Sequence, residues 1–347
     1  MDEDIKKILW AGVQAPSGDN SQPWKFKVEG NEVSIFNLPE KDNPIFNFRG
    51  RGTLVAHGAL IENMVIAASS LGYRSRIDIF PDSRDTRLTA KVVFEKDAPK
   101  QEPLYAAIWE RATNRKVYKN EPLTAEQKNR ITGTAKGEGK LILIEDEESK
   151  KRVGRAVATN EIVMLENKPL HDYFFGDIRW TDKEELEEKS GLYLKTMELA
   201  PPQIAVFKAL SSWPVAKILN SFGMAKFIAK ENSKSYSSGA AMGVITVPDR
   251  DEAFIGVGRL MQRIWLEATA MGLSMHLITG VIYLIQRVIV GEDKDFSAKH
   301  VSILKKAYGD IKDSFGVKDE TIAMLFRIGD GGKPSGRSSR LEPVILS

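Results

Sequence analysis

The chain of 347 residues contains no cysteine. That excludes a disulfide framework, a thiol nucleophile and a thiolate metal site, and it accords with a reducing cytoplasm. Histidine is scarce as well: His57, His171, His276 and His300 stand far apart, none in a metal-ligand spacing. Each reads as surface or satisfied core, so no metal site is expected. The net charge is only +3 and evenly spread, which argues against a nucleic-acid face but still suits an anionic cofactor locally. Recognisable phosphate loops are missing. Gly256-Val257-Gly258 has Met261 in place of the third glycine and lies in a helical stretch. In Gly331-Gly332-Lys333-Pro334-Ser335, Arg327 stands where a P-loop's first glycine belongs and Pro334 follows the lysine. No Ser/His/Asp order can be defended. Hard chemistry would come most naturally from a bound organic cofactor.

One uncharged run bears on a membrane span. Between Glu267 and Arg287 no residue is charged, nearly the length of a membrane span. Gly272, Ser274, His276, Thr279, Gly280 and Gln286 interrupt it, so the expectation is a buried helix running into a loop. The acidic start Met1-Asp2-Glu3-Asp4 leads straight into a helix, and no signal peptide is expected. The chain is thus expected to be soluble and cytoplasmic, with neither nucleic-acid nor membrane partners.

What is present centres on Ala15-Pro16-Ser17-Gly18-Asp19-Asn20-Ser21-Gln22-Pro23-Trp24. It follows an amphipathic run (Ile5, Ile8, Leu9, Val13) and precedes the strand-like Lys25–Val28. Such a polar turn can present amides to a flat, hydrogen-bonding ligand; it can equally be a connecting loop anchored by Trp24. Strands are expected over 33–38, 76–80 and 88–94, and a long helix over 53–71 with Gly72 as its cap. Polar residues 97–103 mark a module boundary. Helices follow over 104–110, 124–135 (opened by a Thr124–Gln127 capping box) and 148–165, with a strand at 141–145. Residues from about 167 to 232, aromatic and interrupted by proline, read as an inserted helical cap. A strand at 240–247, a helix over 251–271, a strand at 321–327 and a possible final strand at 344–346 complete the pattern.

The two long helices match at an offset of 200 residues: Gly58 with Gly258, Leu60 with Leu260, Ala68 with Ala268 and Gly72 with Gly272. Apolar pairs such as Ile61/Met261 and Met64/Ile264 lie between them, which suggests an internal duplication.

Taken together the motifs resemble those of the FMN-dependent nitroreductase family. Residues 15–24 look like its Pro-Ser-x-x-Asn-x-Gln-Pro-Trp turn. Arg111-Ala112-Thr113-Asn114-Arg115 is similar to its opening Arg-Arg-Ser-x-Arg motif, with Ala112 and Thr113 as departures. The tail, Arg327-Ile328-Gly329 through Arg337-Ser338-Ser339-Arg340-Leu341-Glu342, resembles its closing strand and basic arm. Leu277-Ile278-Thr279-Gly280 corresponds loosely to a Pro-Ile-Glu-Gly segment beside the flavin, with Thr279 replacing the acid.

The resemblance implies an α+β fold, a three-layer α/β/α sandwich built here from two fused nitroreductase-like modules. The first, residues 1–98, is truncated and carries the turn. The second, 104–347, carries the Arg motif and the inserted lid of about 167–232. In ordinary members each flavin lies between two protomers, one supplying the turn and the other the Arg motif. Here the turn occurs only in the first portion and the Arg motif only in the second. The place where a second turn belongs reads Lys136-Gly137-Glu138-Gly139-Lys140. A single-chain pseudo-dimer with one FMN, able to act as a monomer, is therefore expected.

By the same resemblance Arg111 and Arg115 hold the FMN phosphate and ring-edge oxygens, and Thr113 the ribityl or pyrimidine edge. Pro16, Ser17, Asn20 and Gln22 meet the flavin from the other side. Arg337 and Arg340 close on the phosphate, and Thr279 and Gly280 offer backbone N–H groups near N5. The flavin carries the chemistry and no catalytic side chain is required. The implied activity is hydride transfer from NADH or NADPH through FMN to a nitroaromatic, quinone or similar small-molecule acceptor. Two alternatives stay open: a protein that binds or sequesters FMN under its lid with little turnover, or a flavin oxidase-like domain of a biosynthetic pathway.

Overall fold

The structure is a computed structural model that describes residues 1–42, 45–135 and 139–346. Residues 136–138, part of the segment where a second turn is lacking, lie outside the described residues.

The first portion contains α1 (Glu3–Gly12), β1 (Trp24–Glu29), β2 (Glu32–Asn37), α2 (Arg51–Ser70), β3 (Tyr73–Ile79) and β4 (Leu88–Lys96). Its strands form one antiparallel sheet in the order β1-β2-β4-β3. Period-two patterning sets its faces: in β3 Tyr73 is buried, while Arg74, Arg76 and Asp78 point to solvent. After a link come α3 (Tyr105–Glu110), α4 (Ala125–Gly133), β5 (Lys140–Ile144), α5 (Glu147–Val157) and α6 (Thr159–Glu166). The expected Thr124–Gln127 capping box opens α4.

The aromatic segment folds as α7 (Lys168–Gly176), β6 (Ile178–Arg179), α8 (Asp182–Glu188), β7 (Leu192–Tyr193), α9 (Pro201–Leu210), α10 (Trp213–Ser221) and α11 (Met224–Tyr236). It has its own small apolar cluster around Met164, Phe175, Leu210 and Ala225. The chain closes with β8 (Ala241–Val247), α12 (Ala253–Ala270), β9 (Ser274–Leu277), α13 (Gly280–Ile289), α14 (Ala298–Phe315) and β10 (Thr321–Gly329). The second sheet is antiparallel in the order β5-β8-β10-β9. The architecture is α+β.

At the centre α2 crosses α12. A Cβ placed on Gly58 would lie 2.1 Å from the Ile255 carbonyl oxygen, and one on Gly258 would lie 2.0 Å from that of Val55. Only bare backbone permits this approach. Beside the crossing, Asn63 Oδ1 accepts from Gln262 Nε2 at 2.7 Å, and buried Glu62 accepts from Arg259 and Arg263. The stretch Phe48–Ser70, which includes α2, is long and apolar enough to cross a membrane, and 78% of its apolar window is buried inside the protein. Its all-round apolar surface matches a helix enclosed on every side.

Two expectations change. The helix over 148–165 is broken at Ala158, where Thr159 Oγ1 bonds back to the Ala156 carbonyl at 2.7 Å, a competing bond that bends helices. The uncharged run 267–287 is not a helix running into a loop. Gly272, at φ 73°, ends α12 and turns the chain into β9, which pairs with β10 before α13 begins at Gly280. The tail returns to the first sheet: Phe26 N donates to Val344 O at 2.8 Å, and Leu346 N donates to Phe26 O at 2.7 Å. The arm carrying Arg337 and Arg340 is thereby drawn from the second sheet toward the N-terminal turn.

Gly58→Ala should cost about 3 kcal/mol through overpacking at the crossing. Gly309→Ala, in α14 with open space around it, should stabilise by about 0.5–1 kcal/mol. Urea denaturation of both variants checks this, and equal midpoints would remove the crossing from its central place.

Candidate functional site

The turn between α1 and β1 holds three non-glycine residues at positive φ: Asp19 (46°), Asn20 (57°) and Gln22 (51°). Each such residue costs about 1–3 kcal/mol and persists only where its surroundings over-determine it. Those surroundings are visible. Ser17 Oγ accepts from Gln22 N at 2.9 Å, and Ser21 Oγ donates to Asp42 Oδ1 at 2.6 Å. Gln22 Nε2 donates to Lys189 O at 2.7 Å, while its Oε1 accepts from Leu341 N at 2.8 Å. Asn20 Nδ2 reaches Lys189 O at 3.3 Å and Ser339 O at 3.2 Å. Trp24 is buried, with its ring edge-on to His57, whose Nε2 meets Pro23 O at 2.9 Å. Trp24 is indeed an anchor, but the turn it anchors is also gripped by the insert and the tail.

Three arginines converge on this turn. Arg111, 2% exposed at the end of α3, lies 4.5 Å over the Trp265 ring and donates to Gln14 O at 2.7 Å. Arg337 donates to Trp109 O, and to Gln14 Oε1 at 3.2 Å. Arg340 donates to Asn20 Oδ1 at 2.8 Å and to the carbonyls of Ser338 and Ser339 at 3.0 Å. Among the described residues none of the three forms an ion pair. In each, Nε is buried without a hydrogen-bond partner. Burial, then the charges of Arg340 and Arg337, pulls Arg111 well below the usual guanidinium range. Burial and Arg337 pull Arg340 to about 9, against the opposing pull of Glu185; both remain cationic at neutral pH. Like charges gathered in a low-dielectric pocket, with N–H donors to spare, make a receptor for an anion with several oxygens.

A second group adjoins the first. Arg115 donates to Thr196 O at 3.0 Å and to Thr196 Oγ1 at 3.3 Å. Burial lowers its proton affinity, and the nearby Tyr236 and Asp19 raise it again. Burial lifts Asp19 to about 6 despite Arg115, and lifts Asp177 to about 7 with the help of Asp19. Deeper in, Glu161 Oε1 accepts from Tyr236 Oη at 2.6 Å and from Asn232 Nδ2 at 3.0 Å. Its Oε2 and the neighbouring Asn160 Oδ1 are buried without partners. Burial raises the Glu161 carboxyl to about 7, opposed by those two hydrogen bonds. Arg327, fully buried on β10, lies 4.0 Å over the Tyr118 ring and donates to Ser238 Oγ at 2.7 Å.

The structure therefore brings Asn20, Gln22, Arg111, Arg337 and Arg340 into one knot, with Arg115 next to it through Asp19. Ser17 shapes the turn from within, and Pro16 enters it half-buried. Thr113 contributes backbone, in a parallel bridge to Met275. Thr279 and Gly280 stand apart, at the start of α13; a Cβ on Gly280 would lie 4.0 Å from Asn160 Oδ1. Sequence reading missed Gln14, Glu161, Glu185, Thr196 and Tyr236. Gln14 directly precedes the turn and could have been included; the others carry no local signal.

No family model matches the chain. It is similar to an uncharacterised protein of Mycobacterium tuberculosis (strain CDC 1551 / Oshkosh), 25% identical over 278 residues, 78% of this chain and 38% of that protein. A second protein of that strain, whose name proposes an NAD(P)H nitroreductase, is 30% identical over 118 residues, 33% of this chain and 34% of its own length. The chain thus spans little more than a third of these curated relatives. Among solved structures it is similar to the FMN-dependent nitroreductase NfnB from Mycobacterium smegmatis in complex with NADPH, at 12% identity, 66% of this chain, 87% of that chain and a TM-score of 0.35. Likeness at that level does not establish a shared fold.

The Glu161 carboxyl binds its proton up to about pH 7 when folded, against 4.5 unfolded. Its contribution to stability is therefore full below about pH 4.5 and is lost as pH rises through about 7. Asp177 adds a similar slope, so Glu161→Gln should shrink, not abolish, the fall in melting temperature across this window. Thermal melts of both proteins from pH 4.5 to 7.5 test it; identical slopes would place Glu161 in contact with water.

Proposed function

We propose that the chain is an FMN-dependent NAD(P)H oxidoreductase of the nitroreductase kind, made of two fused modules that share one flavin site. The observation that carries this reading is the trio of buried, unpartnered Nε atoms on Arg111, Arg337 and Arg340 beside the 15–24 turn. A phosphate monoester has the charge and the oxygens to use those donors, each charge-assisted bond contributing roughly 1.5–3 kcal/mol. The name of the second curated relative agrees with it. The crossing of Gly58 with Gly258, at the offset of 200 residues, supports the duplication.

FMN bound there supplies hydride transfer between a nicotinamide and a nitroaromatic, quinone or similar acceptor. Arg337 and Arg340 bind the phosphate. Arg111 and Arg115 neutralise the phosphate and the ring-edge oxygens, and Asn20, whose amide is engaged by Lys189 O, Ser339 O and Arg340, holds Arg340 in place. Ser17 and Gln22 orient: their polar atoms are spent on holding the turn, the tail and the insert together. Glu161, hydrogen-bonded to Tyr236, holds a proton near neutral pH at the inner wall.

One observation favours a second reading. The insert reaches over the site through Lys189 O, Glu185 and Thr196 O, and such a cover suits a protein that retains FMN with little turnover.

Fluorescence titration should give one FMN per chain. Arg111→Ala should raise the dissociation constant at least tenfold, about 1.4 kcal/mol, with circular dichroism confirming its fold. Two FMN per chain, or an unchanged constant, would remove the shared site. Anaerobic NADPH should bleach the bound flavin. Bleaching by dithionite but not by NADPH or NADH over many minutes would replace the reductase with the retaining protein.

A further inference from the structure

The outer side of the insert has a chemistry that flavin binding does not use. From Leu199 to Lys230 the chain carries Lys208, Lys217, Lys226 and Lys230 and no Asp or Glu. Other lysines of the insert pair with acids, as Lys168 with Asp172, Lys183 with Glu187 and Lys195 with Asp182. These four form no ion pair among the described residues. Between them stand large apolar side chains turned to solvent: Phe222 is 86% exposed, Ile218 61% and Phe227 60%, with Val206 and Val215 exposed as well. Val215, Ile218 and Phe222 follow at helical spacing along α10. Phe222 stands at the α10–α11 corner, where Gly223 at φ 89° reverses the chain. The same helices bury Leu210, Ala216 and Ala225 on their inner side, so α9–α11 are apolar inside and out. An outward apolar stripe in water is unfavourable by about 25 cal/mol per Å² of apolar area left uncovered.

We propose that the α9–α11 face docks peripherally on an anionic lipid bilayer, with Phe222, Phe227 and Ile218 entering the interface and the four lysines meeting lipid phosphates. Apolar side chains among unpaired cations, with no acid among them, complement a negatively charged surface with an apolar interior. A second copy is a poor occupant, because a two-fold interface through this face would set lysines against lysines. The proposed contact is peripheral and invokes no span, and it stands against the sequence expectation of no membrane partner.

The test is flotation of the full chain with phosphatidylcholine vesicles, with and without phosphatidylglycerol. Binding should require phosphatidylglycerol and weaken as salt is raised. Phe222→Ser with Phe227→Ser should reduce it more than about tenfold. Lys217→Gln and Lys226→Gln should each reduce it about fivefold. All four positions are exposed, so thermal melts should be unchanged. Failure to float with either vesicle, or equal binding to both, overturns the proposal. So does self-association in sedimentation that the Phe222/Phe227 variant abolishes, since a second copy would then cover the face.

Discussion

The approach of bare backbone at Gly58 and Gly258 decides where everything else lies. Because α2 and α12 touch there without intervening side chains, each sheet packs its own long helix while both contribute to one continuous core. The crossing also sets the site. From α2, His57 meets Pro23 O and Asn63 donates to Ala11 O at 3.0 Å, which fixes both flanks of the 15–24 turn. From α12, Trp265 presents the ring on which Arg111 lies. A shift of one helix on the other would separate the turn from the arginine.

The knot so formed is unfavourable in isolation. It gathers three guanidinium groups that form no ion pair among the described residues and leaves three buried N–H donors unused. It also holds Asp19, Asn20 and Gln22 in the left-handed region. Strain and uncompensated charge of this kind gather where a ligand supplies what is missing. The tail is the device that tolerates it. By pairing Val344 and Leu346 with Phe26, it binds Arg337 and Arg340 to the first sheet, so their mutual repulsion is resisted by backbone hydrogen bonds as well as side-chain contacts.

On local chemistry alone the 15–24 turn reads equally as a loop anchored by Trp24, and its partners are not visible in it. The turn, the Arg111–Arg115 stretch and the tail arginines were singled out through the family resemblance, and the structure brings most of them together; the pairing of Gly58 with Gly258 by a constant offset lands on the actual crossing. What depends on distant partners was not legible. Glu161 looks like any helix acid until Tyr236 and Asn232, on another helix, close over it. The run 267–287 conceals a strand and a second helix because uniform apolarity erases the periodicity that separates them. The α9–α11 segments show an apolar pattern that reads as core from either side, and only packing reveals that one side remains outside.

The insert therefore has two faces with different obligations. Its inner face holds the site through a few bonds: Lys189 O to Asn20 and Gln22, Thr196 O to Arg115, and Glu185 to the backbone of Ser339. Each contributes about 0.5–1.5 kcal/mol net, more where Arg115 takes part. Ser335 adds two more bonds, to Glu198, and α9–α11 share an apolar cluster with Met164 and Leu165 of α6. Behind these bonds α11 packs on α5 and α6, where Tyr236 and Asn232 hold Glu161, so the insert is anchored to the body as well as to the turn. The outer face, with Phe222, Ile218 and Phe227 exposed, takes no part in holding the turn, so what covers it and what holds the site are separate physical questions.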